Sequence, residues 1–205
     1  MAYLFFDIES FVDPDDNNSG LNPFYTNSKV IVISYNYYSS NSPPQSGEIK
    51  PPTFLFEWVI GSEKALLKEF FKVIKNAHKD CEYLKLVGFN HLPYDVPYLF
   101  NRMLFHKIAP EKELFSLLFT KARHVDLAQL GMIVSKATKR DNDFRCISQK
   151  AINYYYEIPV KEGSGKDVTE FYIAKQYAKI EKYCKEEFTF ELLYNSLLET
   201  ILHQY

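Results

Sequence analysis

Asp7-Ile8-Glu9 closes an apolar and aromatic run from Tyr3 to Glu9 that reads as a β-strand. Side chains alternate faces along a strand, so Asp7 and Glu9 project together, with Tyr3 and Phe5 before them. Two carboxylates about 7 Å apart on one sheet face repel each other, and burial would raise their pKa values. A divalent cation between them would remove that cost and hold both ionised. A solvent-facing strand end with two idle acids produces the same pattern.

Two further acids stand in suggestive places. Asp95 follows Val87-Gly88-Phe89-Asn90-His91-Leu92-Pro93-Tyr94, a strand that runs into a turn, and it stands where a helix should begin. It can cap that helix, and its other oxygen can face a metal. Near the C-terminus, helical spacing puts Ile180, Tyr183, Cys184, Glu187, Phe190, Tyr194, Leu198 and Ile201 on one arc. Glu187 thus falls on an apolar stripe, with Tyr183 one turn before it. An acid there needs a partner, and a metal is one; a solvated glutamate at the stripe's edge is the alternative. Glu191 lies near the same arc, so spacing alone does not single out Glu187.

The composition bounds what such a cluster could serve. The chain has 205 residues, with 46% hydrophobic, 17% aromatic and 24% charged residues, which suits one folded domain spanning 1–205 and excludes a disordered chain. Lys+Arg 24 against Asp+Glu 26 leaves a net charge of −2. No global basic field announces nucleic acid, so a polyanion would be held by a local patch or through metal ions. Cys81, Cys146 and Cys184 are an odd set without C-x-x-C spacing, which argues against a disulfide framework or a zinc knuckle. The opening MAYLFFDIES has no basic n-region, so no signal peptide is expected. The expectation is a soluble, intracellular, cytoplasmic protein with no membrane partner.

The elements that must position these residues follow from periodicity. Strands are expected at Tyr3 to Glu9, Lys29 to Tyr38, Thr53 to Val59 and Leu84 to Phe89, with polar loops from Asp13 to Ser28 and from Ser39 to Pro52. Helices are expected from Glu63 to Ala77 behind a Ser62 cap, from Asp95, from Glu111 to Thr120, from Asp126 to Lys136 and from Ser148 to Tyr156. After a loop from Pro159 to Asp167, one long helix is expected from about Phe171 to Leu202. The fold class is α/β: three antiparallel strands, then parallel strands, in one mixed sheet flanked by helices.

In this order, a strand D-x-E, an Asp after a strand-to-helix turn and Y-x-x-x-acid on a C-terminal helix resemble the DEDD exonucleases of the ribonuclease H-like, or DnaQ-like, superfamily. The tyrosine marks the subtype with Y-x-x-x-D. The likeness is nearest to the proofreading 3′–5′ exonuclease domain of family B DNA polymerases, and runs from Tyr3 to about Tyr194. Phe6-Asp7-Ile8-Glu9 looks like the first motif of that family. Gly88-Phe89-Asn90 with Tyr94-Asp95-Val96-Pro97-Tyr98-Leu99 looks like the second, and Tyr183-Cys184-Lys185-Glu186-Glu187 like the third. His124-Val125-Asp126-Leu127 and the Gly163–Val168 loop look like connecting segments of these proteins. The family has aspartate where this chain has Glu187, one methylene longer, which can still reach a metal if the helix sits slightly further back.

The resemblance implies two divalent ions, Mg²⁺ or Mn²⁺, held by Asp7, Glu9, Asp95 and Glu187. Tyr183 would orient the attacking water, and Asn90 would bind the terminal nucleotide. It further implies a hydrolase that releases nucleoside 5′-monophosphates from single-stranded 3′ ends, DNA ahead of RNA, with a replication or repair protein as a candidate partner. An exoribonuclease, a catalytically weak binding module of the same fold, and an endonuclease of the same superfamily remain open beside it. For phosphate, Lys136, Lys139, Arg140 and Arg145 are candidates, a solvated loop being the alternative; for stacking bases, Phe11, Tyr35 and Tyr94, although most aromatics must be core. Asp126 reads as a helix cap, and the five histidines as surface or core residues.

Overall fold

A computed structural model of the chain describes residues 1–14, 28–134, 148–160, 162–163 and 165–204. Five strands form one sheet: β1 (Ala2–Val12), β2 (Ser28–Tyr38), β3 (Thr53–Phe56), β4 (Leu84–Gly88) and β5 (Ala122–Asp126), in the order β3-β2-β1-β4-β5. The β1–β2 and β2–β3 pairs are antiparallel, whereas β1–β4 and β4–β5 are parallel. This is the expected mixed sheet. Nine described α-helices accompany it, with a 3-10 turn at Ser46–Glu48 and a π-helical turn at Ser116–Thr120: α1 (Glu57–Ile60), α2 (Glu63–Asp80), α3 (Asp95–Phe105), α4 (Glu111–Phe115), α5 (Leu127–Val134), α6 (Gln149–Tyr155), α7 (Gly165–Ile173), α8 (Tyr177–Glu187) and α9 (Phe190–Gln204).

β1 is central because both of its faces are apolar. Ala2, Leu4, Phe6 and Ile8 enter a core with Leu66, Phe70 and Ile74 of α2 and Val96, Leu99 and Met103 of α3. Tyr3 and Phe5 face the opposite way, against Phe190, Leu193 and Tyr194 of α9. A third cluster joins Ile31 and Val32 of β2 to Val168 of α7 and to Ile180, Tyr183 and Cys184 of α8. Adjacent residues Ile31 and Val32 share that cluster because the β1–β2 register slips between Glu9 and Ser10, and a bulge puts neighbours on one side of a sheet. Alternation therefore delivers Asp7 and Glu9 to the face that α7, α8 and α9 cover.

Several caps hold as read. Ser62 accepts from the Ala65 N–H and Ser148 from the Ala151 N–H. Glu63, in the first turn of α2, receives both Nε and Nη2 of Arg102 at 2.7 and 2.6 Å and the Val30 N–H at 2.8 Å, tying α2, α3 and β2 together in the interior.

Four expectations need correction. β3 ends at Phe56, and Trp58 and Val59 belong to a single helical turn closed by Gly61, whose positive φ of 98° suits a residue without Cβ. From sequence no strand is expected over 122–126, with 124–127 as a connecting segment and a helix starting at Asp126, whereas Ala122–Asp126 form the edge strand β5; the run is short and buries only Ala122 and Asp126, so it lacks an alternating apolar signal. α7 begins at Gly165, inside the expected loop. The long C-terminal helix is three helices, and the break before α9 falls at Phe188–Thr189, where Thr189 N–H turns back to the Glu187 carbonyl at 2.8 Å. No described helix is long and apolar enough to cross a membrane.

Candidate metal centre

Three carboxylates meet over the middle of β1, beyond the stretch that pairs with β4. Oxygens of Asp7, Glu9 and Glu187 lie within 4.8 Å of one another, Glu9 buried and the other two half-buried. Strand alternation presents the first two, and α8 brings the third across the sheet. The break after Glu187 helps, because the last residue of a helix has no following turn to shield it. Its carbonyl accepts from Gln149 Nε2 at 2.8 Å, which fixes the helix end against α6. Glu187 therefore reaches the acid pair.

Tyr183 sits one turn earlier on α8, 5% exposed. Its hydroxyl hydrogen-bonds Glu187, and burial, together with the charges of Glu187, Glu9 and Asp7, drives its pKa far upward. The phenol stays protonated and acts as a donor. Gly165 passes beside it: a Cβ there would stand 3.8 Å from the hydroxyl, so the α7 turn closes over Tyr183 in ordinary contact.

Asp95 is the first residue of α3, with Tyr94 in the cap position, so it is not the helix cap. β4 ends at Gly88, which leaves β1 beyond Phe5 without a strand on that side, and Asp95 Oδ1 accepts the Ile8 N–H at 3.1 Å. The carboxyl is 5% exposed. Burial pushes its pKa up to about 8, and the Glu187 and Asp126 charges add to the shift, against hydrogen bonds from Ile8 and its own N–H. Asp95 thus stands behind Ile8, outside the triplet that converges within 4.8 Å, and close enough for Glu187 to act on it electrostatically.

The turn between β4 and α3 is pinned by Asp126. Its Oδ1 accepts from Asn90 N–H at 2.9 Å and Ala128 N–H at 3.0 Å, and its Oδ2 from Leu92 N–H at 3.2 Å. It caps α5, as the sequence reading has it, and also holds Asn90 in the left-handed region at φ 55° with its side chain exposed. Sequence reasoning missed this second role, and it missed the contact of His91 with His124 at 3.2 Å. The parallel register of β4 with β5 is the signal that would have found both. Of the base-stacking candidates, Tyr35 packs on Phe70 across the sheet, Tyr94 bonds Ser10 at 2.7 Å, and Phe11 packs on Tyr172. Lys136, Lys139, Arg140, Arg145 and Cys146 lie outside the described residues.

The donor set is all oxygen. Among the described residues, no histidine or cysteine ligand atom joins the triplet, and hard carboxylate oxygens suit Mg²⁺ or Mn²⁺ rather than zinc. Burial of Glu9 between two other acids is costly unless a cation is shared among them. The residues present therefore fit a divalent ion.

The fold is a mixed five-stranded α/β sheet flanked by helices, consistent with a ribonuclease H-like fold, with the acid pair in the middle of the central strand. No family model and no curated relative matches the sequence. Among solved structures, E. coli exonuclease I in complex with a 5cy-dT13 oligonucleotide matches with a TM-score of 0.51 at 12% identity, covering 77% of this chain and 36% of that one. A product-bound exonuclease I structure gives a TM-score of 0.48 at 11% identity, covering 80% of this chain and 39% of that one, too low to argue from. The chain thus spans little more than a third of the solved structures it matches, and the likeness is one of fold.

Proposed function

We propose that this chain is a DEDD-type nuclease of the tyrosine subtype, which uses divalent metal to remove nucleotides from the 3′ end of a single strand, DNA ahead of RNA. The observation that carries the reading is the convergence of Asp7, Glu9 and Glu187 oxygens within 4.8 Å on a ribonuclease H-like sheet. An exonuclease I of similar fold is solved in complex with a 5cy-dT13 oligonucleotide, which supports a nucleic-acid substrate by analogy.

Asp7, Glu9 and Glu187 would hold the metal, with Asp95 as a fourth ligand once its proton is lost. Divalent metal held there would supply activation of water and stabilisation of the departing 3′-oxygen. Asp7 would share in holding it through its half-buried carboxylate. Tyr183, held protonated by its acidic surroundings, orients the water by hydrogen bonding and does not act as the base. Asn90, exposed on a turn that Asp126 fixes, would bond the terminal nucleotide by analogy with that family.

The test is degradation of a 5′-labelled single strand with Mg²⁺ or Mn²⁺. A ladder shortening from the 3′ end is expected, and Asp7→Ala should slow it at least ~10³-fold, as expected when metal-held electrostatic stabilisation is lost. Undiminished cleavage by the mutant rules the site out. Parallel DNA and RNA strands of one sequence decide the polymer, and a circular strand that is cut points to an endonuclease instead.

A further inference from the structure

The aromatic residues of this chain are not spread evenly, and one group is arranged as a column. Phe54 stacks on Phe56 at 5.5 Å between centroids and 5° between planes, Phe56 on Trp58 at 4.9 Å and 23°, and Trp58 on Tyr177 at 4.5 Å and 9°. All four rings are half-buried, neither sealed in the core nor fully in solvent. Phe54 and Phe56 belong to β3, which is an edge of the sheet.

The strand register fixes where this column stands. Glu9 pairs with Val32, and Val32 with Phe56; Asp7 pairs with Ser34, and Ser34 with Phe54. Directly paired residues share a face, so both rings stand on the face that carries the acids. They are two strands away, about 10 Å at the usual spacing. α8 spans the same gap from the other side: Tyr177 at its start caps the column, and Tyr183 and Glu187 further along it close the acid cluster. The column and the carboxylates therefore stand on one face of the sheet and are joined by α8, which carries Tyr177 at one end and Glu187 at the other.

We propose that the Phe54–Phe56–Trp58–Tyr177 column is a base-stacking subsite for single-stranded nucleic acid, taking the bases behind the terminal nucleotide. It rests on the nuclease reading of the carboxylate cluster. Stacking on aromatic faces tolerates any base, which suits a site that must hold each new sequence as the end is shortened. Phe54 ends the column on the edge strand and is half-buried. Lys29, ion-paired with Glu57 at 3.2 Å and bonded to the Tyr172 hydroxyl at 2.7 Å, braces the flank of the column.

Trp58 is the only tryptophan in the chain, so its fluorescence reports on the column alone. The experiment titrates full-length protein in EDTA with thymidine 5′-monophosphate or with oligothymidylate of about ten residues, long enough for an extended site. Trp58 emission and the anisotropy of a labelled oligonucleotide are read together. The oligonucleotide should quench Trp58 and the mononucleotide should not. Phe54→Leu, which keeps an apolar side chain at the edge, should weaken oligonucleotide binding about tenfold and leave mononucleotide affinity unchanged. Oligonucleotide binding by anisotropy with unchanged Trp58 emission overturns the subsite and leaves the nuclease reading standing. No oligonucleotide binding, together with no metal-dependent degradation, overturns both. The wild-type quench decides the matter even if the variant does not fold.

Discussion

Asp95 carries an electrostatic burden that can be measured without any substrate. Its carboxyl is 5% exposed, and its pKa is raised from the ordinary 3.8 to about 8. An acid with a raised folded-state pKa gives stability that is complete below the unfolded pKa, and this is lost as pH rises through the folded one. Three pH units above 4, at about 1.4 kcal/mol each, make the loss near pH 7 at most about 4 kcal/mol. Glu187 shares the repulsion, so about 2 to 4 kcal/mol is assigned to Asp95. Asp95→Asn cannot ionise and keeps an oxygen for the Ile8 N–H. In EDTA, urea denaturation should show the variant more stable than wild type by that amount at pH 7 and nearly equal to it at pH 4. Equal differences at both values, or a less stable variant at pH 7, would refute the assignment.

Two substitutions separate chemistry from packing. Tyr183→Phe keeps a ring that is 5% exposed and removes the hydroxyl bonded to Glu187; single-turnover cleavage should fall about 10²-fold with metal affinity unchanged. Gly88→Ala would place a Cβ 2.9 Å from both the Phe6 carbonyl oxygen and His91 Cβ. β1 cannot retreat, so a cost of about 1–3 kcal/mol and a Tm lower by about 3–9 °C are expected in thermal denaturation.

The sheet was legible where one rule governed each position. β1 and β2 alternate or run apolar because both faces of the sheet are covered, and the loops around them are marked by Pro, Gly and Asn. β5 was not legible. An edge strand of five residues that buries Ala122 and Asp126 and exposes Arg123 has no period of its own, and it is a strand because β4 offers a parallel partner. Its acid then serves a turn 34 and 36 residues earlier, at Leu92 and Asn90. Such roles belong to tertiary structure, and no local spacing contains them.

Glu187 shows how a residue can be brought to the acid pair although the element that carries it was misread. The arc from Ile180 to Ile201 assumed one unbroken helix, with Glu187 in mid-stripe. In the folded chain the arc divides: Ile180, Tyr183 and Cys184 pack on β2, whereas Phe190 and Tyr194 pack on Tyr3 and Phe5 of β1. Were the helix continuous, Glu187 would be followed by another turn on the same face. Ending α8 at Glu187 instead leaves that face open towards Asp7 and Glu9, and Thr189 and Gln149 take the carbonyl that the missing turn would have bonded. The acid that looked like an expense inside an apolar stripe is a helix-terminal residue aimed at two other acids. Glu191, the competing candidate on the same arc, shows the difference: beyond the break it turns to Asn36 and Tyr38, at 2.7 and 3.2 Å, and is satisfied without a metal. The break, not the spacing, selects between them.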